Sequence, residues 1–390
     1  MRVVVGGLVA TYPLGGVAWD YLAYVKGFEA LGCEVLYLED TGQWLYHPRA
    51  GTFVPDPSFH VRYLKRTLQQ VSEHAAKRWA LRGPDGSYYG WTAAQVEHFC
   101  RQADLFLNVS GSCWLRDQYR GARCLAYLDS DPGYTQAKLW AVEQGTATED
   151  ECFSAGLIRA HTHFFTLAEN IGADDCLLPS CGLEWKPTRQ PIVLSDWPFT
   201  FTPRARRFTT VMSWKIDVRP PQIAGVQYGD KDIEFLKFLD LPQHTSAWLQ
   251  VAVSGKAPRD ELRQHGWHVI DGYTCSRTMG IYRRYLQHSR GEWSVAKNAY
   301  VATRSGWFAT RSAAYLASGK PVVLQDTGFS RILPTGEGLF AFRTREEAIA
   351  ALERIESNYR CHCEAARDLA ETHFGAEQVL VRLLQDSGLA

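Results

Sequence analysis

Apolar residues along this chain alternate between two rhythms: short continuous runs of strand length, then longer stretches with apolar positions three and four residues apart. Arg2-Val-Val-Val-Gly-Gly-Leu-Val opens the series as a buried strand. An amphipathic helix is expected from about 18 to 31, with Trp19, Leu22, Val25, Phe28 and Leu31 on one face and Gly32 as its stop. Cys33-Glu-Val-Leu-Tyr-Leu is the second strand and ends in Glu39-Asp40, which completes a βαβ unit. Residues 41–60, rich in Pro, Gly and aromatics, predict a long excursion. Helices are expected near 61–80 and 92–103, and strands at 104–109, 122–128 and 161–167. Cys176–Leu183 reads as the last element of the first half.

From Glu184 to Arg207 Pro, Trp, Thr and Arg crowd together without periodicity, as in a connection between domains. The alternation then restarts with a strand at 208–214, a helix from Glu234 capped by 228–231, a central strand at 247–255, a helix at 258–265, a strand at 267–271 and a helix at 278–289. Tyr300-Val-Ala-Thr reads as a short buried strand, 304–312 as a polar turn, and 313–318 as a helix stopped by Gly319, with Pro321-Val-Val-Leu opening the next strand. A long helical segment at about 344–373 and a short amphipathic end follow, and no internal repeat or low-complexity tract is present. The expected class is α/β with two Rossmann-like domains facing across a cleft. They span 1–200 and 208–372, and 373–390 crosses back to the first.

At 390 residues the chain exceeds one compact core, which agrees with two domains. Its 42 basic and 42 acidic side chains cancel, so no global field recruits nucleic acid or a membrane, and any anion site is local. The first apolar run is too short for a signal peptide and no later run reaches the length of a membrane span, so a cytoplasmic protein is expected. Ten cysteines in such a chain predict reduced, mostly buried thiols. Neither Cys176/Cys181 nor Cys361-His362-Cys363 has zinc-site spacing, so no metal is assigned.

The most informative chemistry lies at the turn before the helix at 313–318. A helix N-terminus presents free N–H groups and the positive end of its dipole, and Thr303, Arg304, Ser305, Gly306, Thr310, Arg311 and Ser312 add charge and donors, as a phosphate seat requires. Gly306-Trp-Phe, the short helix, Ala317-Ser-Gly-Lys-Pro-Val-Val, Gln325-Asp-Thr-Gly and Thr335-Gly-Glu-Gly-Leu together resemble the donor-binding half of GT-B glycosyltransferases over about 290–372. Many retaining members carry two glutamates at the start of this helix, where the chain has Gly306 and Ala314.

The resemblance implies a nucleoside diphosphate sugar as co-substrate, with no cofactor and no metal. It places the diphosphate on 303–312 and sugar hydroxyls on Gln325, Asp326, Thr327 and Gly328. Gly15 and Gly16, at the ligand edge of the first βαβ unit, would let the backbone approach the phosphates, and Ser213, Lys215 and Lys231 occupy the matching edge of the second half. The acceptor, a small molecule, lipid or glycan, would enter over the loops at 11–20, 40–60 and 129–135. If the reaction inverts, an N-terminal acid or histidine takes its proton, with Asp20, Asp129, Asp131 and His163 as candidates. A sugar-nucleotide 2-epimerase and a non-catalytic nucleotide-sugar-binding protein are the alternatives.

Overall fold

The computed structural model describes residues 1–216 and 218–390. In chain order the first half contains β1 Arg2–Gly6, α1 Gly15–Ala30, β2 Glu34–Glu39, β3 Leu45–His47, β4 Thr52–Val54, α2 Ser58–Val71, β5 Trp79–Arg82, β6 Tyr88–Gly90 and α3 Ala93–Arg101. It continues with β7 Leu105–Val109, β8 Cys124–Asp129, α4 Tyr134–Glu143, α5 Glu149–Arg159, β9 His163–Thr166 and β10 Trp185–Pro187. The second half contains β11 Arg207–Ser213, β12 Gln222–Ile223, β13 Val226–Gln227, α6 Lys231–Leu236, β14 Trp248–Ser254, α7 Arg259–Gln264 and β15 His268–Asp271. After α8 Gly272–Ser276 and α9 Met279–Gln287 come β16 Gly291–Ser294, α10 Asn298–Ala302, α11 Thr310–Ala317, β17 Val322–Gln325 and β18 Leu339–Phe342. Three helices, α12 Arg345–Ser357, α13 Tyr359–His373 and α14 Ala376–Asp386, close the chain.

Two open sheets result, one ordered β10-β9-β8-β7-β1-β2-β5-β6 and the other β15-β14-β11-β16-β17-β18. Every pairing in them is parallel except β5 with β6, and the fully buried Val3-Val4-Val5 run sits centrally, with Val4 opposite both Leu36 and Phe106. Strand order reverses beside β1 in the first sheet and beside β11 in the second. The strands' C-terminal ends at those points are where open α/β sheets leave a crevice.

Several expected elements shift. Tyr300-Val-Ala is not a strand but part of α10, and the strand that pairs with β11 and β17 is Gly291–Ser294. A short buried apolar run carries no periodicity that separates strand from helix, and here the pairing partners decide. The helix expected to reach residue 80 ends at Val71, because Trp79-Ala-Leu is drawn into the sheet beside Tyr37–Glu39. Residues 176–183 hold no strand, and Trp185–Pro187 is the sheet's last one. The excursion at 41–60 contains the β3–β4 hairpin, and the long C-terminal helix is two, broken at Asn358.

The chain's end packs on its beginning. Leu380, Leu383 and Leu384 of α14 share a core with Val3, Tyr24 and Phe28, and a Cβ on Gly27 would lie 2.5 Å from the Leu380 Cδ1. No helix among the described residues is long and apolar enough to cross a membrane. Leu380→Ala removes a fully buried side chain from this seam and should cost about 2–5 kcal/mol in urea unfolding. A loss under about 1 kcal/mol would mean that α14 is a dispensable appendage.

Candidate active site

The two halves of the chain meet where α1 packs on α9. A Cβ on Gly15 would stand 2.3 Å from the Thr278 carbonyl oxygen and one on Gly16 would stand 3.1 Å from the Tyr282 ring, so both glycines are required by close contact with the start of α9. Close packing thus accounts for both glycines, a different reason from the phosphate approach expected of them. One turn on, Trp19 Nε1 donates to Met279 O at 2.9 Å, and Thr310 Oγ1, at the start of α11, donates to Asp20 Oδ1 at 3.1 Å. Desolvation raises Asp20 from the ordinary aspartate value to about 6, with the Thr310 bond opposing.

The polar turn is also spent on structure. Arg304, at φ 51°, pairs with Asp175 at 2.8 Å, and its carbonyl accepts from Asn170 Nδ2 at 2.8 Å. Asn170 N donates to Ser305 O, and a Cβ on Gly306 would meet that same Asn170 N at 2.6 Å. Thr303 Oγ1 donates to Ala299 O, Gly306 N to Thr327 O, and Thr327 Oγ1 to Trp307 O, which locks this turn to the loop after β17. A cradle with free donors is therefore not what residues 303–306 form. Nor are the expected sugar readers free. Gln325 bridges Ala296 N and Glu234, while Asp326 holds Gly328 N, Ser330 and the Arg343 guanidinium. Burial would raise the Asp326 carboxyl, but Arg343 and the two hydrogen bonds more than offset it. Gly328, at φ 100°, starts the following turn.

Arg311 turns inward, donating to Glu292 at 2.5 Å, Val211 O at 2.7 Å and Ser294 Oγ at 2.8 Å. Lys231, the first residue of α6, shares this region but forms no ion pair among the described residues. The residue is partly exposed to solvent. Burial, followed by the charges of Arg311 and Lys297, pushes it down to about 7, and Glu292 and Asp230 compensate only in part. Lys297 Nζ reaches across to Asp131 at 2.7 and 3.0 Å, and Tyr134 OH donates to Asp230 at 2.7 Å. At Arg311, α11 has Ala309 as an N-cap without a side-chain hydrogen bond, and the buried hydroxyl of Ser312 has no partner among the described residues. Of the three cations, Arg311 and Lys297 have carboxylate partners and Lys231 is the one without an ion pair among the described residues. Ser213 ends β11 on the exposed side, and Lys215 is exposed, 3.9 Å from Asp232.

The remaining base candidates separate cleanly. Asp129 is buried and accepts from Thr135, Gln136, Thr166 and Asp131 N, so it anchors the turn into α4 and has no lone pair left for a substrate proton. His163 begins β9, at the end of the sheet away from the cleft. Its Nδ1 lies 2.9 Å from Thr162 Oγ1 and 3.2 Å from Cys124 Sγ, which excludes it from the site. His161 is held by Asn108 and the Leu157 and Ile158 carbonyls, and burial lowers it to about 4. Lys297, Asp230 and Asn170 were missed. Placing the strand at 291–294 would have brought Lys297 to the ligand edge, whereas Asp230 and Asn170 carry no local signal.

The recess between the lobes at Gly16, Trp19, Tyr282, Thr310 and Arg311 holds about 30 Å³, while a flank cavity of about 350 Å³ lies against Glu234, Lys237, Arg304, Asp326 and Arg343. Among the described residues no three His, Cys, Asp or Glu side chains converge as metal ligands would. The raised Asp20 sets a pH signature. Native protein holds this proton more tightly than unfolded chain, so the stability it contributes is present below about 4 and lost as pH rises through about 6. Asp20→Asn should therefore gain stability over the parent across that window, by up to about 3 kcal/mol at pH 8. Parallel stability curves for the two proteins between pH 4 and 8 would rule out a desolvated carboxyl.

The chain matches no protein-family model and no curated protein sequence. Solved structures resemble it over nearly their whole length. Sucrose-phosphate synthase from Thermosynechococcus elongatus has a TM-score of 0.57 at 13% identity, covering 99% of this chain and 98% of its own. HepE from Anabaena, in complex with UDP-glucose, has 0.57 at 13%, covering 99% of both chains. AviGT4, a glycosyltransferase involved in avilamycin A biosynthesis, has 0.53 at 14%, covering 100% of this chain and 97% of its own. With its two parallel sheets facing through α1, α9 and α11, the chain has the GT-B fold of these glycosyltransferases, two Rossmann-like domains across a cleft.

Proposed function

We propose that this chain is a glycosyltransferase that moves a sugar from a nucleoside diphosphate sugar to an acceptor bound over the first domain. The observation that carries this reading is Lys231, a cation under the repulsion of Arg311, in the first turn of α11, and of Lys297. It forms no ion pair among the described residues, and a diphosphate would supply one. HepE, of the same fold, is described with UDP-glucose, which supports a donor of that class.

In the reaction the bond from the anomeric carbon to the diphosphate oxygen breaks and the acceptor oxygen takes its place. Charge accumulates on the departing diphosphate, where Lys231, Lys297 and the N–H groups of the first turn of α11 stabilise it. Asp20 is the base candidate left with an unsaturated carboxylate at the lobe junction, and a pKa near 6 lets it accept the acceptor's proton at neutral pH. Arg304 and Arg311 act indirectly, holding the turn and the sheet through Asp175 and Glu292. Incubation with labelled sugar nucleotides tests the reaction class: conversion of the sugar without an acceptor indicates an epimerase, and binding with neither transfer nor hydrolysis indicates a non-catalytic protein.

Binding itself is tested by thermal shift with UDP, GDP, dTDP and ADP, since a ligand selective for native protein raises its melting temperature. For the preferred nucleotide, Lys231→Met should weaken affinity by about 10- to 100-fold, the range of a lost charge-assisted hydrogen bond, while Arg304→Ala changes it little. A diphosphate beside Lys231 restores its proton, so at pH 8 binding takes up close to one proton in the parent and none in Lys231→Met. Calorimetry in two buffers of different ionisation enthalpy reads this directly. Equal proton uptake in both proteins would remove Lys231 from the site.

A further inference from the structure

We infer that the second domain docks on an anionic lipid bilayer through the edge of its sheet opposite the cleft, where three unpaired arginines lie beside exposed aromatic rings. The segment 199–207, which leads into this domain, runs along that edge from the end of α11 to the start of β11. Phe199 lies against Gly319, just past α11, where a Cβ would come within 2.4 Å of its ring, and Thr200 N donates to Ser318 O. Thr202 Oγ1 donates to Ser289 O at 3.3 Å and accepts from Lys320 Nζ at 2.5 Å, while Arg290 Nη1 donates to Pro203 O at 3.3 Å. Ala205 N closes a turn on Thr202 O, and Arg204, Arg206 and Arg207 emerge exposed. The Arg206 and Arg207 guanidiniums reach the ring of Trp248, at the start of β14, at 5.6 and 6.0 Å. His268, which opens β15, stacks on the same ring at 5.8 Å, so the surface is continuous from Phe199 to His268.

Charge on this edge is one-sided. Of the cations at the turn, Arg204, Arg206, Arg207, Arg290 and the buried Lys320, Arg290 alone has a carboxylate partner among the described residues, Glu356 at 2.6 Å. The whole chain carries no net charge, so the excess acts on a partner that comes to this face. The rings favour a bilayer over a nucleic acid or an acidic peptide. Trp248 lies on the middle strand of three, with guanidiniums approaching from the β11 side and His268 from the β15 side, which leaves no free face for a base. An acidic peptide would engage the arginines and leave Trp248, 45% exposed, and Phe199, 40% exposed, without a role. Rings flanked by guanidiniums suit the headgroup zone, where the aromatic bodies sit below the phosphates that the arginines hold. β11, seven residues long, sets this edge about 20 Å from the cleft, beyond the screening length of about 8 Å in physiological salt, so docking leaves the region of Lys231 untouched.

The full-length protein is sedimented with vesicles of phosphatidylcholine alone and of phosphatidylcholine with an equal part of phosphatidylglycerol. Binding to the mixed vesicles only is expected, and it should fall as salt is raised. Arg204→Gln and Arg206→Gln should each weaken it about fivefold, the contribution of one arginine at an anionic surface. Trp248→Ala should weaken it as well, whereas Lys256→Gln, an exposed cation at the opposite edge, should leave it unchanged. Should Trp248→Ala loosen β14, Arg204→Glu keeps the test sharp, because this exposed side chain donates no hydrogen bond among the described residues and its reversal should leave the melting temperature unchanged. Equal binding to both vesicle types, binding to neither, or mixed-vesicle binding that survives Arg204→Glu combined with Arg206→Gln overturns the proposal. So does binding of a fluorescent single-stranded RNA that is lost with the same arginines in a protein that does not sediment with vesicles, which would assign the edge to nucleic acid.

Discussion

The structure depends on how closely α1 approaches the second domain. Side chains at Gly15 and Gly16 would collide with the Thr278 carbonyl and the Tyr282 ring, and only their absence lets the Trp19 indole reach Met279 O and Asp20 reach Thr310. Polar bonds across the cleft join Lys297 to Asp131, Tyr134 to Asp230, Trp307 to Ser130 O and Asn170 to Arg304 O. Beside them an apolar cluster spans both domains, with Ala137, Ala168 and Leu178 packing on Tyr228, Ala299 and Tyr300, so the relative position of the domains is set by a close glycine contact, directional bonds and apolar packing together.

The same junction explains why two arginines that look alike in sequence differ from one lysine. A guanidinium has five donors, and Arg311 uses its fork to satisfy Glu292, Ser294 and a carbonyl at once, which makes it a structural strut between β16, β11 and α11. Lys231 cannot bridge in that way and is left as a point charge near two other cations. Such a group loses its proton readily, and any anion that enters returns it. Electrostatic strain of this kind is tolerable where a ligand relieves it.

The alternation of strands and helices was legible because parallel strands buried on both faces read as continuous apolar runs, and Val3–Val5, Leu36–Leu38 and Val322–Leu324 lie where those runs placed them. The misplaced Tyr300 strand and the hidden Trp79 strand failed for one reason: short apolar segments take their form from partners far away in sequence. Side-chain roles were less legible still. The helix start at 310 was visible, but whether Arg304 and Arg311 face a ligand depended on Asp175 and Glu292, at distances in sequence that no local pattern encodes. His163 misled because alternation gives the face of a strand and not which end of it meets the cleft.

The recess between the domains at Gly16, Trp19, Tyr282, Thr310 and Arg311 holds about 30 Å³, room for a water molecule and not for a nucleotide sugar. Parting the domains would break polar bonds at the rim, where a partly exposed ion pair such as Asp131–Lys297 contributes no more than about 1 kcal/mol, and would also uncover the apolar cluster of Leu178, Ala299 and Tyr300. The contacts that would hold lie elsewhere. The chain crosses between domains after β10 and again before α14, and the two crossings are bonded to each other: Ile192 N donates to Phe374 O at 2.7 Å and Ala376 N to Ile192 O at 2.9 Å. Behind them α14 stays buried against α1. The two crossing segments are thus tied to each other at one isolated bridge, so the only covalent links between the domains run side by side, where a hinge would lie.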